Sequence, residues 1–332
     1  MKVFSPLALL ASLTLAVSSH AATTDVMGGI VVTIQGDDSY NFISVPFVNS
    51  PAFVGQATGG SATTLDCSTA SWTVDEFATN YFVEITSAGT GDTGLGEGLM
   101  VDIVSNTATQ LTLADDISSY SLEGDETFTI REHATLSSLF GENNSAGLLG
   151  GSTAGAADEV RLWSPSEQKF YTYFYSTIYN RWAPSSAPFT EDSSDEIVYS
   201  DQGVVIYRKG AGTLDLVLSG AVKTGVSQAQ VYTGYNFYDN KKPIDVTLAE
   251  TGWENDLTSG STGGSSDEIG VWNSSENRLD LYFYSSIYSR WTPSSAPFTG
   301  DASDVLIPAD AAIVIQRKSV DTVISESAVS VN

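Results

Sequence analysis

Residues 158–163 read Asp-Glu-Val-Arg-Leu-Trp, and residues 267–272 read Asp-Glu-Ile-Gly-Val-Trp. The same displacement of 109 residues relates further pairs of segments: Tyr-Phe-Tyr at 173–175 and 282–284, Pro-Ser-Ser-Ala-Pro-Phe-Thr at 184–190 and 293–299, and Arg-Lys at 208–209 and 317–318. Matches of this length, without a gap, do not arise by chance. The sequence therefore predicts a tandem duplication, with copy one at 135–217 and copy two at 218–332.

Apolar residues in both copies recur with a period of two, and Gly, Ser and Thr crowd the connections between them. This pattern is typical of short antiparallel strands. We expect an all-β fold in which each copy is an antiparallel β-sandwich or barrel unit. The best candidate for a helix is the short stretch 135–140.

The region at 22–134 is predicted to contain a small β-meander or barrel, because Gly-rich turns separate short alternating segments. The predicted strands are Tyr81–Thr86, Leu99–Val104, Gln110–Leu113 and Thr127–Arg131. Residues 40–42 and 235–237 both read Tyr-Asn-Phe. If this weak match holds, residues 53–134 are an insertion in copy one; otherwise they belong to a separate N-terminal domain.

The first residues have the layout of a secretory signal. A basic start is followed by the apolar run 7–17, which is too short for a lasting membrane span, and then by small residues. We expect residues 1–21 to be a cleaved signal peptide. The mature protein is then exported to the periplasm, the cell surface or the extracellular space, without membrane insertion.

The chain of 332 residues has 40 acidic and 14 basic side chains, a formal net charge of −26. Nucleic acids and anionic membrane surfaces would be repelled by this charge. Polysaccharides, other surface proteins and divalent cations remain possible partners. Cys67 is the only cysteine, so stability must come from packing and hydrogen bonds.

Aromatic residues mark the repeated strands. In the strand at 170–175, Phe170 and Phe174 are predicted to face the core. The tyrosines between them are predicted to lie on a partly wet face, because Tyr171 corresponds to Asp280 in the other copy. The tryptophan of the preceding strand is predicted to share that face. The candidate ligand-binding residues are Trp163, Tyr173, Tyr175, Trp182, Trp272, Tyr282, Tyr284 and Trp291.

Two interpretations of these aromatic residues stay open. Exposed rings can serve as platforms for the faces of sugar rings, which would give two equivalent carbohydrate-binding sites. Alternatively, Trp and Tyr form a second packing layer with their polar ends toward solvent.

Charged residues also recur at matched positions. Arg181, Arg208 and Lys209 have basic counterparts in copy two, and we interpret them as structural. A guanidinium held by an aspartate and stacked near Trp182 or Trp291 would fix a loop. The Ser-rich loops contain four aspartates that could bind calcium: Asp192, Asp195, Asp301 and Asp304. Their spacing matches no diagnostic calcium loop, so no cofactor is required by the sequence.

The sequence contains no recognisable catalytic motif. After the signal, His133 is the only histidine and is predicted to be an ordinary surface or turn residue. No nucleophile elbow, phosphate loop or dinucleotide fingerprint occurs. Two similar copies suit binding or assembly better than a single catalytic cleft. We therefore expect a protein that is not an enzyme.

The Asp-Glu-Val-x-x-Trp, Tyr-Phe-Tyr and Arg-Lys segments, with Thr-Leu-x-x-Leu-Phe-Gly at 135–141, resemble an uncharacterised family of exported β-rich proteins of environmental Gram-negative bacteria. The resemblance implies export and a β-rich fold, and no activity. The expected function is a structural or adhesive role outside the cell. The alternative is a carbohydrate-binding module with two equivalent aromatic sites.

Overall fold

The strands pair antiparallel with one another in the computed structural model, which describes residues 25–89, 96–120, 122 and 124–328. The predicted signal peptide, residues 1–21, lies outside these described residues. The all-β fold class predicted from the sequence is confirmed.

The strands form three units, which we name by their residues. The first repeat unit comprises residues 27–48 and 134–222, the meander unit comprises residues 51–132, and the second repeat unit comprises residues 227–326. The chain begins with β1 (Met27–Ile34), β2 (Ser39–Ile43) and β3 (Phe47–Val48). The meander unit contains β4 (Pro51–Gln56), β5 (Gly59–Ser61), β6 (Thr64–Asp66), β7 (Tyr81–Ser87), β8 (Met100–Asn106), β9 (Gln110–Leu113) and β10 (Thr127–Glu132). The first repeat unit continues with β11 (Ala134–Thr135), β12 (Glu159–Ser164), β13 (Lys169–Ser176), β14 (Arg181–Pro184), β15 (Ile197–Val198), β16 (Val204–Arg208) and β17 (Leu214–Val222). The second repeat unit contains β18 (Ser227–Val231), β19 (Gly234–Tyr238), β20 (Val246–Thr247), β21 (Glu268–Asn273), β22 (Arg278–Ser285), β23 (Arg290–Pro293), β24 (Leu306–Ile307), β25 (Ile313–Arg317) and β26 (Thr322–Glu326).

Helical structure in the described part of the chain is brief. The α-helix α1 (Leu136–Phe140) forms where the sequence predicted it, because Thr135 caps its N-terminus in a capping box with Ser138. The short 3-10 helices are Ser118–Tyr120, Ala154–Ala156, Leu248–Glu250, Trp253–Asn255 and Gly263–Ser265.

The two repeat units have sheets with the same strand order. The five-stranded sheet of the first repeat unit runs β14-β13-β12-β16-β2, and that of the second runs β23-β22-β21-β25-β19. A smaller sheet covers each: β1-β17-β3 in the first repeat unit and β18-β26 in the second. Strands at matched sequence positions therefore occupy matched places in the two units.

Each repeat unit buries a core between its larger and smaller sheets. In the first repeat unit, Val160 and Ile206 of the larger sheet pack in one cluster with Val32 and Leu216 of the smaller sheet. Their alternation along each strand places apolar side chains inside and the intervening residues outside, as expected for two packed antiparallel sheets.

The meander unit has its own seven-stranded sheet, with the order β4-β10-β7-β8-β9-β6-β5. The four strands predicted in this region all form. A separate apolar cluster that includes Trp72, Phe77 and Phe128 supports the sheet, and the buried thiol of Cys67 lies within it.

The two repeat units contact each other through reciprocal aromatic pairs. The ring of Trp163 on β12 lies 5.1 Å from that of Phe237 on β19, measured between centroids. Trp272 on β21 stacks on Phe42 on β2 at 4.5 Å. Each unit thus gives a tryptophan to the other and receives one.

Backbone hydrogen bonds follow the same reciprocal pattern. The Gly203 N–H donates to the Phe237 carbonyl at 2.9 Å, and the Ala312 N–H donates to the Phe42 carbonyl at 3.2 Å. The same surface of each unit is therefore used on both sides, as in the isologous interface of a symmetric dimer.

A buried ionic cluster also recurs in both units. Asp158, whose side chain is fully buried, accepts hydrogen bonds from Arg208 (2.8 Å) and from the N–H groups of Leu149, Lys209 and Gly210. In the second repeat unit Asp267 is bonded in the same way by Arg317, by Lys318 N and by Thr258 N. These carboxylates hold the ends of the central strands together, which is the structural role we expected for Arg208 and Arg317.

Candidate functional site

The register of the central strands separates residues that the sequence analysis placed together. Val160 lies opposite Tyr173, and Trp163 lies opposite Phe170. Directly opposed residues share one face of a sheet, so Trp163 and Tyr173 point to different faces. The predicted alignment of the tryptophan with the tyrosines is therefore wrong.

The tyrosine face is the main core face, although that position was predicted for the phenylalanines. Only its Tyr171 end is exposed, as expected of the partly wet face. Tyr173 and Tyr175 pack in the same cluster as Trp182, which is fully buried and donates its indole N–H to the Gly141 carbonyl at 3.0 Å. In the second repeat unit, Trp291 is buried, and Tyr282 and Tyr284 are half-buried against the corresponding core. The prediction erred because aromatic residues occur on both faces of this strand, so a period of two does not identify the inner one.

Trp163 and Trp272 lie at the contact between the repeat units. The Trp163 indole N–H donates to the Tyr235 carbonyl at 2.7 Å, and its ring lies against Phe170 and Phe237. These contacts favour the packing interpretation for both tryptophans.

The four aspartates of the calcium hypothesis remain on two separate loops. Asp192 and Asp301 each accept a hydrogen bond from the N–H two residues further on, at 2.9 and 3.0 Å. Asp195 and Asp304 are exposed. No group of three or more His, Cys, Asp or Glu side chains suited to a metal ion occurs in the part of the chain that the structure describes.

The arginines beside these loops were predicted to stack on tryptophans. They stack on tyrosines instead. The Arg181 guanidinium carbon lies 5.0 Å from the ring centroid of Tyr179, and that of Arg290 lies 5.2 Å from that of Tyr288. Trp182 and Trp291 are not accessible to them, because their rings are buried in the cores.

A cleft of about 1170 Å³, which we call the tripartite cleft, lies where the three units meet. The meander unit contributes Asp102 and Tyr120 to its wall, the first repeat unit contributes Tyr171 and Tyr199, and the second contributes Tyr232. Trp163 and Tyr173 also line it; the other six predicted aromatic residues do not.

The walls of the cleft are held together by bonds between units. Lys223, which directly follows β17 of the first repeat unit, pairs with Glu84 of the meander unit at 2.9 Å. Gln228 of the second repeat unit bonds to the meander unit through its N–H, which donates to the Gly98 carbonyl at 3.1 Å, and through its amide, which donates to the Glu97 carbonyl at 2.8 Å. The cleft is therefore formed by the packing of the units.

The tripartite cleft is acidic. Its carboxylates come from all three units and are Asp102, Asp115, Asp116, Glu196, Asp201 and Asp321. None of the described residues that line it is a lysine or an arginine. Such a wall repels anions and attracts cations, and it offers many acceptors to a neutral hydroxylated ligand.

The pKa values of the tyrosines reflect this charge. Burial, with the charges of Asp102, Asp201 and Glu196, raises the pKa of Tyr199 to about 12. Burial and the charges of Asp115, Asp201 and Asp321 raise the pKa of Tyr232 as well. These phenols stay protonated at neutral pH, so they can donate hydrogen bonds inside the cleft.

Three tyrosines present accessible surface to the cleft. Tyr171, Tyr199 and Tyr232 are 40%, 42% and 39% exposed. The Tyr199 hydroxyl donates to Asp102 at 3.3 Å, and the Tyr171 hydroxyl donates to Glu167 at 2.7 Å, so both rings are held in place.

His133 lines the floor of the cleft and is buried, so its predicted surface location was wrong. It is 6% exposed and is covered by the rings of Phe82 and Tyr199, at centroid distances of 4.7 and 5.2 Å. Its Nε2 lies 3.0 Å from Asp102 Oδ1. The histidine therefore orients an acid of the cleft wall.

Tyr199 and Tyr232 were not predicted, because neither belongs to a segment that is identical in the two copies. A difference in sequence between the two copies could have identified Tyr199. Tyr199 corresponds to Pro308, just as Tyr171 corresponds to Asp280. An aromatic residue found in only one copy indicates a feature that is not repeated, and the cleft is such a feature.

Comparison of the chain with family models, with curated proteins and with solved structures found no match. Among the described residues, no helix has the length and apolar character needed to cross a membrane.

Proposed function

We propose that this chain is an exported, non-catalytic protein with an adhesive role at the cell surface or in the extracellular space, and that it adheres by binding uncharged carbohydrate in the tripartite cleft. The observation that carries the proposal is the set of three exposed tyrosines, Tyr171, Tyr199 and Tyr232, among acids from three units.

Both the aromatic rings and the polar groups of the cleft wall can bind a sugar. The apolar face of a pyranose packs on an aromatic ring, and phenol and carboxylate groups bond to its hydroxyls. Phosphorylated or sulfated ligands would meet six carboxylates, since Asp102, Asp115, Asp116, Glu196, Asp201 and Asp321 all line the cleft. An uncharged polysaccharide is therefore favoured over an anionic one.

The size of the cleft favours an oligosaccharide segment over a single sugar. Pockets for small ligands hold about 300–1,000 Å³, and this cleft holds about 1170 Å³. A ligand of several sugar units would contact walls from more than one unit.

The non-catalytic part of the proposal rests on the sequence, which contains no recognisable catalytic motif. Export, and the resemblance to exported proteins of Gram-negative bacteria, stay predictions. The proposal requires no cofactor.

Electrophoresis through gels that contain uncharged polysaccharides tests the proposal. Suitable probes are hydroxyethyl cellulose, xylan, laminarin and starch. We expect at least one to retard the protein, and we expect retardation to be lost in a Tyr199→Ala, Tyr232→Ala variant.

The matched control is Tyr40→Ala, because Tyr40 is 36% exposed and does not line the cleft. It should be retarded like the unmodified protein. If no probe retards the protein, or if the cleft variant and the control behave alike, carbohydrate binding in the cleft is wrong and a purely structural role is favoured.

A further inference from the structure

Two equivalent apolar patches lie exposed on the repeat units, away from the tripartite cleft. The first hairpin patch is Ile178, Tyr179 and Phe189, and the second hairpin patch is Ile287, Tyr288 and Phe298. The exposed fractions are 54%, 43% and 55% in the first and 57%, 43% and 57% in the second. In each unit, two of the residues lie in the turn before the edge strand, β14 or β23, and the phenylalanine lies in the loop after it.

The two patches are identical in sequence, although exposed positions beside them differ between the copies. Thr177 corresponds to Ser286, and Asn180 corresponds to Ser289. An exposed phenylalanine adds little to folding stability, since most of its surface stays in water. Three exposed apolar side chains kept in both units therefore indicate contact with something outside the chain.

Each patch is also ordered in the same way. Arg181 stacks on Tyr179, and Arg290 stacks on Tyr288. In the second patch Asp301 lies 3.6 Å from Arg290. Each patch thus has an aromatic ring fixed by a guanidinium, with hydrogen-bonding groups at its edge.

The net charge of the chain favours an uncharged polymer over a second copy of the chain as the ligand of these patches. A second copy of this chain also carries a net charge of −26, so like charges oppose self-association. An uncharged polymer meets no such barrier, and it offers the same sugar unit to both equivalent patches.

We infer that the two hairpin patches are equivalent, individually weak binding sites for the sugar units of one uncharged polysaccharide. This inference rests on the proposed function and extends it, because the patches add avidity to the binding in the cleft. Two linked weak sites raise the affinity for a polymer about 10²-fold or more, without affecting a ligand too short to reach both.

The test compares a polymer with a short oligosaccharide of the same sugar. The polymer is the one of the four gel probes that gives the greatest retardation, and the short ligand is its tetrasaccharide. The variants are Tyr179→Ala with Phe189→Ala, Tyr288→Ala with Phe298→Ala, and all four substitutions together. We expect each pair to weaken polymer binding about tenfold and all four to weaken it about 10²-fold, with tetrasaccharide binding unchanged.

The control carries Val31→Ala and Val217→Ala, because these valines are 59% and 68% exposed and lie on neither patch. Unchanged polymer binding by the variant with four substitutions overturns the inference, whatever the cleft variant does. Loss of polymer binding only in the cleft variant supports the cleft alone. Conversion of an oligomer to a monomer by the patch substitutions, seen by sedimentation velocity, also overturns the inference and assigns the patches to self-association.

Discussion

The indole of Trp272 stacks on the ring of Phe42, with 4.5 Å between centroids and 25° between planes. Trp163 makes the reciprocal contact with Phe237. The two residues that the sequence singled out most strongly as sugar platforms thus join the repeat units to each other.

Removal of either tryptophan should lower stability. For Trp163→Ala and Trp272→Ala we expect the free energy of unfolding to fall by about 2–3 kcal/mol. This is less than the roughly 3–5 kcal/mol typical of a fully buried tryptophan, because both rings are half-buried. Urea unfolding monitored by circular dichroism measures the change. Val54→Ala, at a residue 54% exposed, is the control and should stay near the unmodified midpoint. Weaker polysaccharide binding by Trp272→Ala at full stability would instead assign that tryptophan to the ligand, since Trp272 does not line the cleft.

Loss of the buried carboxylate that recurs in both repeat units should lower the free energy of unfolding more than loss of a tryptophan does. Asp158→Asn and Asp267→Asn each leave a buried arginine without its charge partner, and we expect about 3–5 kcal/mol of destabilisation. The exposed Asp195 provides the control, since Asp195→Asn should change stability by less than about 0.5 kcal/mol. Thermal and urea unfolding check both. A small effect at Asp158 would show that its backbone hydrogen bonds alone hold the site.

A buried cluster of charges predicts how stability depends on pH. Asp239 is fully buried and accepts hydrogen bonds from the Ser44 hydroxyl and from Val45 N. Burial raises its pKa to about 7 despite these bonds, and the nearby Glu326 acts in the same direction. Burial lowers the pKa of Lys241 to about 8, with the charge of Lys223 adding to the effect, although Asp201, Glu326 and Asp239 oppose it.

The direction in which stability changes with pH follows from which state, folded or unfolded, binds the extra proton. Between about pH 4 and 7 the folded state holds a proton on Asp239 that the unfolded state has lost, so stability should fall as the pH rises. Above pH 8 the unfolded state holds the extra proton, on Lys241, and stability should rise again toward the ordinary lysine pKa of about 10.4. Melting temperatures between pH 4 and 10 test this. Asp239→Asn should make the fall in the acidic branch shallower, with the remainder due to Glu326, whose pKa burial also raises. An unchanged profile in that variant would contradict the assignment.

Calcium should have little effect on stability. The carboxylates of Asp192 and Asp301 are already engaged by local N–H groups, and Asp195 and Asp304 are exposed. A calcium site with a dissociation constant of about 0.1 mM would raise the free energy of unfolding by about 1.4 kcal/mol at about 1 mM calcium. We expect no rise in melting temperature at this concentration. A rise that is lost in an Asp192→Asn, Asp301→Asn variant would restore the calcium site.

The sequence predicted the local structure well. The period-two pattern and the Gly-rich turns identified four of the seven strands of the meander unit, and the stretch 135–140, the best candidate for a helix, contains α1. These features depend on neighbours close in sequence, so a single chain is sufficient to predict them.

The faces and the cleft depend on contacts that the sequence does not display. Tyr173 and Phe174 are both buried, in different clusters, so polarity does not identify the main core face. Only the pairing of Tyr173 with Val160 does so. Tyr120, Tyr199 and Tyr232 are far apart in the chain and meet only when three units pack together.

Calorimetric titration with a tetrasaccharide of the retarding polysaccharide tests the central claim most directly. We predict one strong site per chain, lost in Tyr199→Ala with Tyr232→Ala and retained in Trp272→Ala. Two equivalent strong sites, each lost with its own tryptophan, would contradict the assignment to the tripartite cleft.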